Sequence, residues 1–201
     1  MKILITGFEP FGGENVNPSY EAVKLLPDRM GQANIIKLQL PVSFEGAAKE
    51  VKSALLTHQP DAVLCVGQAG GYAGIGVERI AVNLMDASIP DNEGNQPTDQ
   101  PIVPNGPAAY FSSLPVKDMV KALKGEGIPA FVSNSAGTYV CNTVMYTLLH
   151  EIHCHCPNVR GGFIHVPYTP DQAAAKVPVP SSMALSLIAK GLEVAAGILA
   201  G

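Results

Sequence analysis

The sequence contains no tryptophan, few charged residues and only four cysteines among its 201 residues. Charged residues make up 15%, and 13 Lys+Arg against 17 Asp+Glu give a formal net charge of −4. Without an excess of basic side chains to neutralise phosphates, we expect no nucleic-acid partner. Hydrophobic residues nevertheless reach 47%, which excludes a disordered chain and is enough for one compact domain over residues 1–201.

Long apolar runs are also absent. None approaches the roughly 20 residues that span a bilayer. The apolar stretch after Met1 is shorter than a signal-peptide core, and no small-residue cleavage site follows it. The four cysteines, at positions 65, 141, 154 and 156, are too sparse and uneven for a secreted disulfide framework. We therefore expect reduced thiols, no membrane partner and a cytoplasmic location.

What the sequence does contain is a regular alternation of short apolar runs with helical patterns. Asn17 and Ser43 are the predicted N-caps of two of the helices. Residues 88–107 are rich in Pro, Asn, Asp and Gly and are predicted to form one long loop. Strands are predicted at 2–6, 35–40, 62–67, 77–84 (half-exposed), 130–133 and 162–166, and helices at 17–26, 43–59, 119–123, 140–150 and 182–199.

This order predicts a single-domain α/β fold, in which a doubly wound, mostly parallel twisted sheet carries helices on both faces. In such sheets the chemistry collects in loops at the carboxyl ends of the strands. The segments expected there are 7–17, 67–80, 133–141 and 165–171.

Cys141 is the first candidate for chemistry, because the run 133–142 leaves a strand, turns and enters a helix. At a helix N-terminus, unpaired N–H groups and the helix dipole favour a thiolate, which is the nucleophilic form. The alternative is a small buried apolar side chain, the usual role of a free cysteine.

His165 and Glu78 are candidates for the groups that would assist such a thiol. His165 lies at the end of a predicted strand, where it fits a general base for Cys141; the alternative is an ordinary core histidine. Glu78 follows a glycine-rich stretch and fits an acid that fixes the imidazole tautomer. Its alternative is a surface ion pair.

Two further features point to cofactors, and neither makes a strong case. The glycine stretch 67–76 lacks the third glycine of the dinucleotide fingerprint, and no Gly-Lys-Ser/Thr occurs, so we expect no nucleotide cofactor. In the cluster 150–156, His150, His153 and Cys154 share one helical face, as zinc ligands can. The cluster lacks the paired, separated ligand dyads of structural zinc motifs, so we predict no specific metal site. A metal-handling protein built on it remains a rival hypothesis.

Several longer motifs occur in order along nearly the whole chain. They are ITGFEPFGG (5–13), NPS (17–19), GQAGG (67–71), ERIAVN (78–83), PDNEGNQP (90–97), GPAAYF (106–111), SNSAGTYVCN (133–142) and FIHVPY (163–168). Together they resemble the pyroglutamyl peptidase I (pyrrolidone-carboxylate peptidase) family of cysteine peptidases. One departure is that Gly76-Val77 stands where members usually carry Thr-Pro or a similar pair, after Tyr72 where arginine is frequent.

The resemblance implies removal of N-terminal pyroglutamate from peptides, a catalytic triad of Cys141, His165 and Glu78, and a homotetramer. A flat, neutral lactam calls for apolar walls and a few fixed hydrogen-bond partners. Phe8 and Phe11 are expected to form the walls, and Tyr139 and Val140 to close the pocket. The Asn17 side chain and the backbone near Gln68 are expected to form its polar edge. The expected pocket residues are Phe8, Phe11, Asn17, Gln68, Tyr139 and Val140. A hydrolase acting on a different amide remains the second rival.

Overall fold

The structure, a computed structural model, describes all 201 residues. Nine strands and six helices follow one another along the chain. They are β1 (Lys2–Phe8), α1 (Pro18–Lys24), β2 (Arg29–Met30), β3 (Ala33–Leu40), α2 (Phe44–His58), β4 (Ala62–Gln68), β5 (Ile75–Glu78), β6 (Ile80–Val82), β7 (Ala109–Phe111), α3 (Val116–Gly125), β8 (Ala130–Ser133), α4 (Val140–His155), β9 (Arg160–Val166), α5 (Pro170–Ala174) and α6 (Leu185–Ala200).

Seven of the strands form the main sheet, in the order β2-β3-β1-β4-β9-β5-β8. Strands β3, β1, β4 and β9 run parallel, β2 is antiparallel to β3, and β5 with its parallel neighbour β8 runs antiparallel to β9. One face packs against α2 and α4 and the other against α1, α3 and α6. The predicted α/β class, with a mostly parallel sheet and helices on both faces, is confirmed. None of the helices is both long and apolar enough to cross a membrane.

The predicted starts of two helices follow from local capping. The Asn17 Oδ1 accepts a hydrogen bond from the Ser19 N–H at 3.1 Å, with Pro18 in the first turn of α1. The Ser43 Oγ accepts one from the Gly46 N–H at 3.0 Å at the start of α2. In each case a side chain satisfies an N–H group that the helix leaves unpaired, so the signal is readable from adjacent residues.

The predicted half-exposed strand at 77–84 is wrong. Residues 75–78 form β5, which is buried along its whole length inside the main sheet. The chain then leaves this sheet at Arg79, and β6 pairs with β7 in a separate two-stranded sheet. Only β6 alternates in exposure, so the weak alternation came from two short strands in different environments.

Smaller differences concern the ends of elements and three short elements that were not predicted. Helix α4 continues to His155, five residues beyond the predicted end, and α6 begins at Leu185 rather than at 182. Strands β2 and β7 and helix α5 have two, three and five residues, too few to leave a periodic pattern.

The expectation that the site lies in loops at the carboxyl ends of the strands holds for only part of the site. Strands β1, β4 and β9 are parallel and end at one edge of the sheet, which places the predicted segments that follow them side by side. Strands β5 and β8 run the opposite way. Glu78 and the start of segment 133–141 therefore approach the site from within the sheet and not from that edge.

The long loop is confirmed as a segment without a helix or a named strand, but it is firmly anchored. The Asp91 carboxylate accepts hydrogen bonds from the backbone N–H groups of Phe44 at 2.9 Å, Glu93 at 3.0 Å and Asn95 at 2.8 Å. The Asn92 side chain donates to Glu9 Oε1 at 2.8 Å. The loop is thereby tied to the start of α2 and to the segment that follows β1.

Candidate active site

A row of residues across the sheet places His165 between two glycines. Gly67 of β4 and Gly76 of β5 are both in register with His165 of β9. A Cβ atom on Gly67 would lie 2.8 Å from the Cys141 Sγ and 2.7 Å from the Phe163 ring. Glycine at 67 therefore gives the thiol of Cys141 the room to lie over the sheet beside His165.

His165 is bonded to Glu78 inside the protein. Its Nδ1 lies 2.7 Å from the Glu78 Oε1, and the two residues are 5% and 0% exposed. The second carboxylate oxygen, Oε2, is buried without a hydrogen-bond partner. The charge of Glu78 is thus compensated mainly by the imidazole. This arrangement favours the protonated form of the imidazole.

The pKa of His165 reflects this environment. Burial by itself would lower it, but the negative charge of Cys141, a hydrogen bond with Cys141, and the hydrogen bond and charge of Glu78 raise the pKa from 6.5 to about 9. The ring is accordingly protonated at neutral pH when the thiolate is beside it. Cys141 and His165 line the same cavity.

Cys141 is half-buried in the first turn of α4, where its backbone N–H precedes the intrahelical hydrogen bonds. The next residue, Asn142, is fully buried and fixes this turn. Its Oδ1 accepts from the Val82 N–H at 3.0 Å, and its Nδ2 donates to the carbonyl oxygens of Val82 at 2.9 Å and Leu84 at 3.0 Å. Asn142 was not among the predicted site residues, although an amide next to a candidate nucleophile on an apolar helix is a signal that the sequence contains.

A small cavity of about 130 Å³ lies in front of these residues. Every predicted site residue lines it except Glu78, which lies behind His165. Val42 and Ala136 also line it and were not predicted. The full lining is Phe8, Phe11, Asn17, Val42, Gln68, Ala136, Tyr139, Val140, Cys141 and His165.

The aromatic walls of this cavity are braced by their neighbours. The ring of Tyr139 lies 6.2 Å from that of Phe11 and 5.3 Å, edge-on, from that of Phe44. Its hydroxyl donates to the Pro90 carbonyl oxygen at 3.0 Å. Burial, with the nearby charges of Asp91 and Cys141, raises the pKa of Tyr139 to about 12, so the hydroxyl keeps the proton it donates.

The polar edge of the cavity is also held in place by hydrogen bonds to residues outside the cavity. Asn17 lines the cavity, but its Oδ1 caps α1 and its Nδ2 donates to the Glu9 carbonyl oxygen at 2.9 Å, which leaves one N–H of the amide for a ligand. The Gln68 Oε1 accepts from the Gln172 Nε2 at 3.0 Å, and the same Nε2 donates to the Val16 carbonyl oxygen at 3.1 Å. Gln172, on the unpredicted helix α5, thus joins the end of β4 to the segment that follows β1.

The cluster 150–156 lies outside the cavity, on α4 and its C-terminal end. The His150 Nε2 lies 3.9 Å from the Cys154 Sγ, and the His150 Nδ1 lies 2.9 Å from the Tyr110 hydroxyl. The His155 Nδ1 lies 2.9 Å from Glu151. The structure brings together no set of three His, Cys, Asp or Glu side chains placed to hold a metal ion.

A thiol in the first turn of a helix, next to an imidazole whose other nitrogen is bonded to a buried carboxylate, is the arrangement found in cysteine-type hydrolases. Comparison with known proteins gives the particular family. The family model described as pyroglutamyl peptidase matches residues 1–200, and the chain belongs to this family of cysteine-type hydrolases. The resemblance stated from the sequence motifs is confirmed.

Individual relatives are similar to this chain along almost their full length. The chain is 55% identical over 195 residues to the pyrrolidone-carboxylate peptidase of Thermococcus kodakarensis, covering 97% of this chain and 94% of that protein. The pyroglutamyl peptidase I structure from Bacillus amyloliquefaciens superposes with a TM-score of 0.95 at 51% identity, covering 98% of this chain and 95% of that one. A pyrrolidone carboxyl peptidase structure from Pyrococcus furiosus gives 0.95 at 46% identity, covering 98% and 97%.

Proposed function

We propose that this protein removes N-terminal pyroglutamate from peptides, using Cys141 as the nucleophile, His165 as the general base and acid, and Glu78 as the residue that orients the imidazole. The observation that carries the proposal is the 2.7 Å bond between the His165 Nδ1 and the buried Glu78. It leaves the Nε2 of the ring for the thiol of Cys141, which lines the same cavity.

In the first half of the reaction, the His165 Nε2 takes the proton of the Cys141 thiol. The thiolate attacks the carbonyl carbon that joins pyroglutamate to the next residue and forms the S–C bond. When the tetrahedral intermediate collapses, the C–N bond breaks and the imidazolium returns its proton to the departing amine. The product of this half is a thioester between Cys141 and the pyroglutamyl group.

In the second half, water attacks the thioester and transfers a proton to His165, the C–S bond breaks, and pyroglutamate leaves as the free acid. The Cys141 sulfur recovers its proton from the imidazolium. The backbone N–H of Cys141, in the first turn of α4, is the natural donor to the oxyanion in both halves. Such a donor contributes about 10²–10³ to kcat.

The cavity supports the choice of a lactam as the acyl group. Apart from the Cys141–His165 pair, its lining carries no charged side chain, whereas an aminopeptidase needs an acidic group for the substrate ammonium. Phe8, Phe11, Tyr139 and Val140 form apolar walls for a flat ring. We assign the polar edge to Asn17 and to the backbone near Gln68, where an unpaired buried group would cost about 1–3 kcal/mol.

We further propose that the chain forms a homotetramer, as the family resemblance implies. Exposed apolar side chains support self-association, since Val177 and Val179 are 99% and 70% exposed.

The test of the proposed function is hydrolysis of a fluorogenic L-pyroglutamyl amide, with an L-prolyl amide as the control substrate. Wild type should cleave only the pyroglutamyl amide, be inactivated by iodoacetamide and be indifferent to chelators. Cys141→Ala should abolish cleavage, whereas Cys154→Ala, which removes an exposed thiol outside the cavity, should leave it unchanged. Folded, reduced wild type that cleaves neither amide would overturn the proposal.

A further inference from the structure

On the side of His165 opposite Cys141, an aromatic side chain lies against the imidazole. The ring of Tyr72 meets the His165 ring edge-on, with centroids 6.0 Å apart and planes at 76°. Tyr72 also packs on Phe131 of β8, with ring centroids 5.1 Å apart. Tyr72 is half-buried, Phe131 is 37% exposed, and neither lines the cavity described above.

Glycine at position 76 makes this placement of Tyr72 feasible. A Cβ atom on Gly76 would lie 2.8 Å from the Tyr72 Cε2 and 3.3 Å from the Phe131 Cζ, and the first distance is shorter than real Cβ contacts allow. Gly76 is in register with both His165 and Phe131. The thiol of Cys141 thus lies over Gly67 on one side of His165, and the ring of Tyr72 lies over Gly76 on the other.

The row of Gly67, His165 and Gly76 across the sheet indicates in which direction a bound peptide substrate runs. The acyl group and the leaving amine lie on opposite sides of the carbonyl carbon that Cys141 attacks. The acyl cavity is built on β1, β4 and β9, on the Gly67 side of His165. The leaving amine takes its proton from the His165 Nε2 and therefore lies within about 3 Å of that atom. The residue that carries this amine then extends toward β5 and β8, where Tyr72 and Phe131 lie.

We propose that Tyr72 and Phe131 form the binding surface for the first residue after pyroglutamate, and that this surface selects apolar and aromatic side chains over small or acidic ones. The inference rests on the proposed function, because it uses the roles given there to Cys141 and His165. Its physical basis is the apolar area of two packed aromatic rings that are partly open to solvent beside the general acid.

The experiment compares cleavage of three peptide amides, in which pyroglutamate is followed by Phe, Gly or Glu. In wild type the kcat/KM for the Glu peptide should be no higher than that for the Gly peptide, and the Phe/Gly ratio of kcat/KM should be about ten. In Tyr72→Ala this ratio should fall to near one, mainly through a higher KM for the Phe peptide, and Tyr72→Phe should restore it. Because a disturbance of His165 affects all three peptides alike, the ratio isolates the binding surface.

A second variant tests the same surface by displacing the ring. Gly76→Ala should lower the Phe/Gly ratio in the wild-type background, but should change it no further in the Tyr72→Ala background. Phe111→Ala removes a ring that is 71% exposed and outside the site, and serves as the matched control with an unchanged ratio. A tenfold ratio that persists in Tyr72→Ala, or a wild-type ratio near one, would overturn the inference. Failure of wild type to cleave any pyroglutamyl peptide would instead refute the proposed function.

Discussion

His165 is the residue on which the proposed chemistry depends, because it is bonded to Glu78 and lines the same cavity as Cys141. Its ring nitrogen is bonded to Glu78, its ring packs against Phe163 with centroids 4.8 Å apart, and glycines occupy both neighbouring positions in its row of the sheet. A protonated imidazole at neutral pH requires the negative charges around it. The effect of each negative charge on the imidazole can be measured by a single substitution.

The first prediction concerns the titration of His165. Because its pKa is raised to about 9, the stabilisation that the protonated ring gives to buried Glu78 is complete below pH 6.5 and is lost as the pH rises through about 9. Cys141→Ser removes the thiolate charge and should move the midpoint to lower pH. NMR titration of the imidazole signals measures both values, and identical midpoints in the two proteins would contradict the assigned cause.

The second prediction concerns the carboxylate. Glu78→Gln keeps the shape of the side chain but removes the charge that favours the imidazolium, so kcat should fall by about 10²–10⁴ while the protein stays folded. Alkylation of Cys141 by iodoacetamide at neutral pH should slow in parallel, measured in a Cys154→Ala background. Glu193→Gln, on the exposed face of α6, is the control. Unchanged kcat in Glu78→Gln would remove this residue from the mechanism.

At the scale of elements, the site depends on loops that are held by side chains distant in sequence. Gln172 of α5 reaches Gln68 across 104 positions, and Asn142 of α4 reaches Val82 across 60. Asp91 joins the long loop to the first turn of α2, which carries Phe44 against the wall residue Tyr139. Such contacts fix the cavity before substrate arrives, which reduces the ordering that binding would otherwise require.

The third prediction tests this anchoring. Burial alone would raise the pKa of Asp91, but hydrogen bonds from the N–H groups of Phe44, Asn95 and Glu93 hold the pKa below its usual value. Its contribution to stability is therefore present at neutral pH and is lost as the pH falls through that lowered pKa. Asp91→Asn should lower the free energy of unfolding by about 1–3 kcal/mol in urea titrations at pH 7 and raise KM.

The matched control is Asp99→Asn, an exposed position in the same loop, which should change neither quantity. If Asp91→Asn and Asp99→Asn have the same stability and KM, the loop is not anchored through Asp91.

At the scale of the whole molecule, the sheet separates two cores and presents its site at one edge and one face. One face holds α1, α3 and α6, and the face with α2 and α4 holds His165 and Cys141. Oligomeric state and hydrolysis are separate measurements, so assembly and catalysis can be tested independently.

The fourth prediction is the oligomeric state. Size-exclusion chromatography with light scattering should give a mass near four times the 21.0 kDa of one chain. The assembly should persist on dilution if apolar surface is buried at the contacts. A monomer at high protein concentration would contradict the homotetramer and would leave the proposed reaction untouched.

Features that depend on adjacent residues and on residue type were predictable from the amino-acid sequence. Capping placed the starts of α1 and α2, because Asn17 and Ser43 bond to N–H groups only two or three positions away. Apolar runs placed strands β1, β3, β4, β8 and β9 of the main sheet. Residue chemistry nominated Cys141 at the start of a predicted helix, His165 at the end of a predicted strand and Glu78 after a glycine-rich stretch, and the motifs indicated the family.

Features that depend on strand direction and on contacts between distant residues became visible in the folded chain. Periodicity shows that a strand is buried but not which way it runs, so the reversal of β5 and β8 and the break at Arg79 were not predictable. The positions of Val42, Ala136 and Gln172 around the cavity likewise arise from chain segments that meet only in the folded sheet. The placement of Tyr72 over Gly76 was not predictable either, because the sequence does not show which ring occupies the space that the glycine leaves.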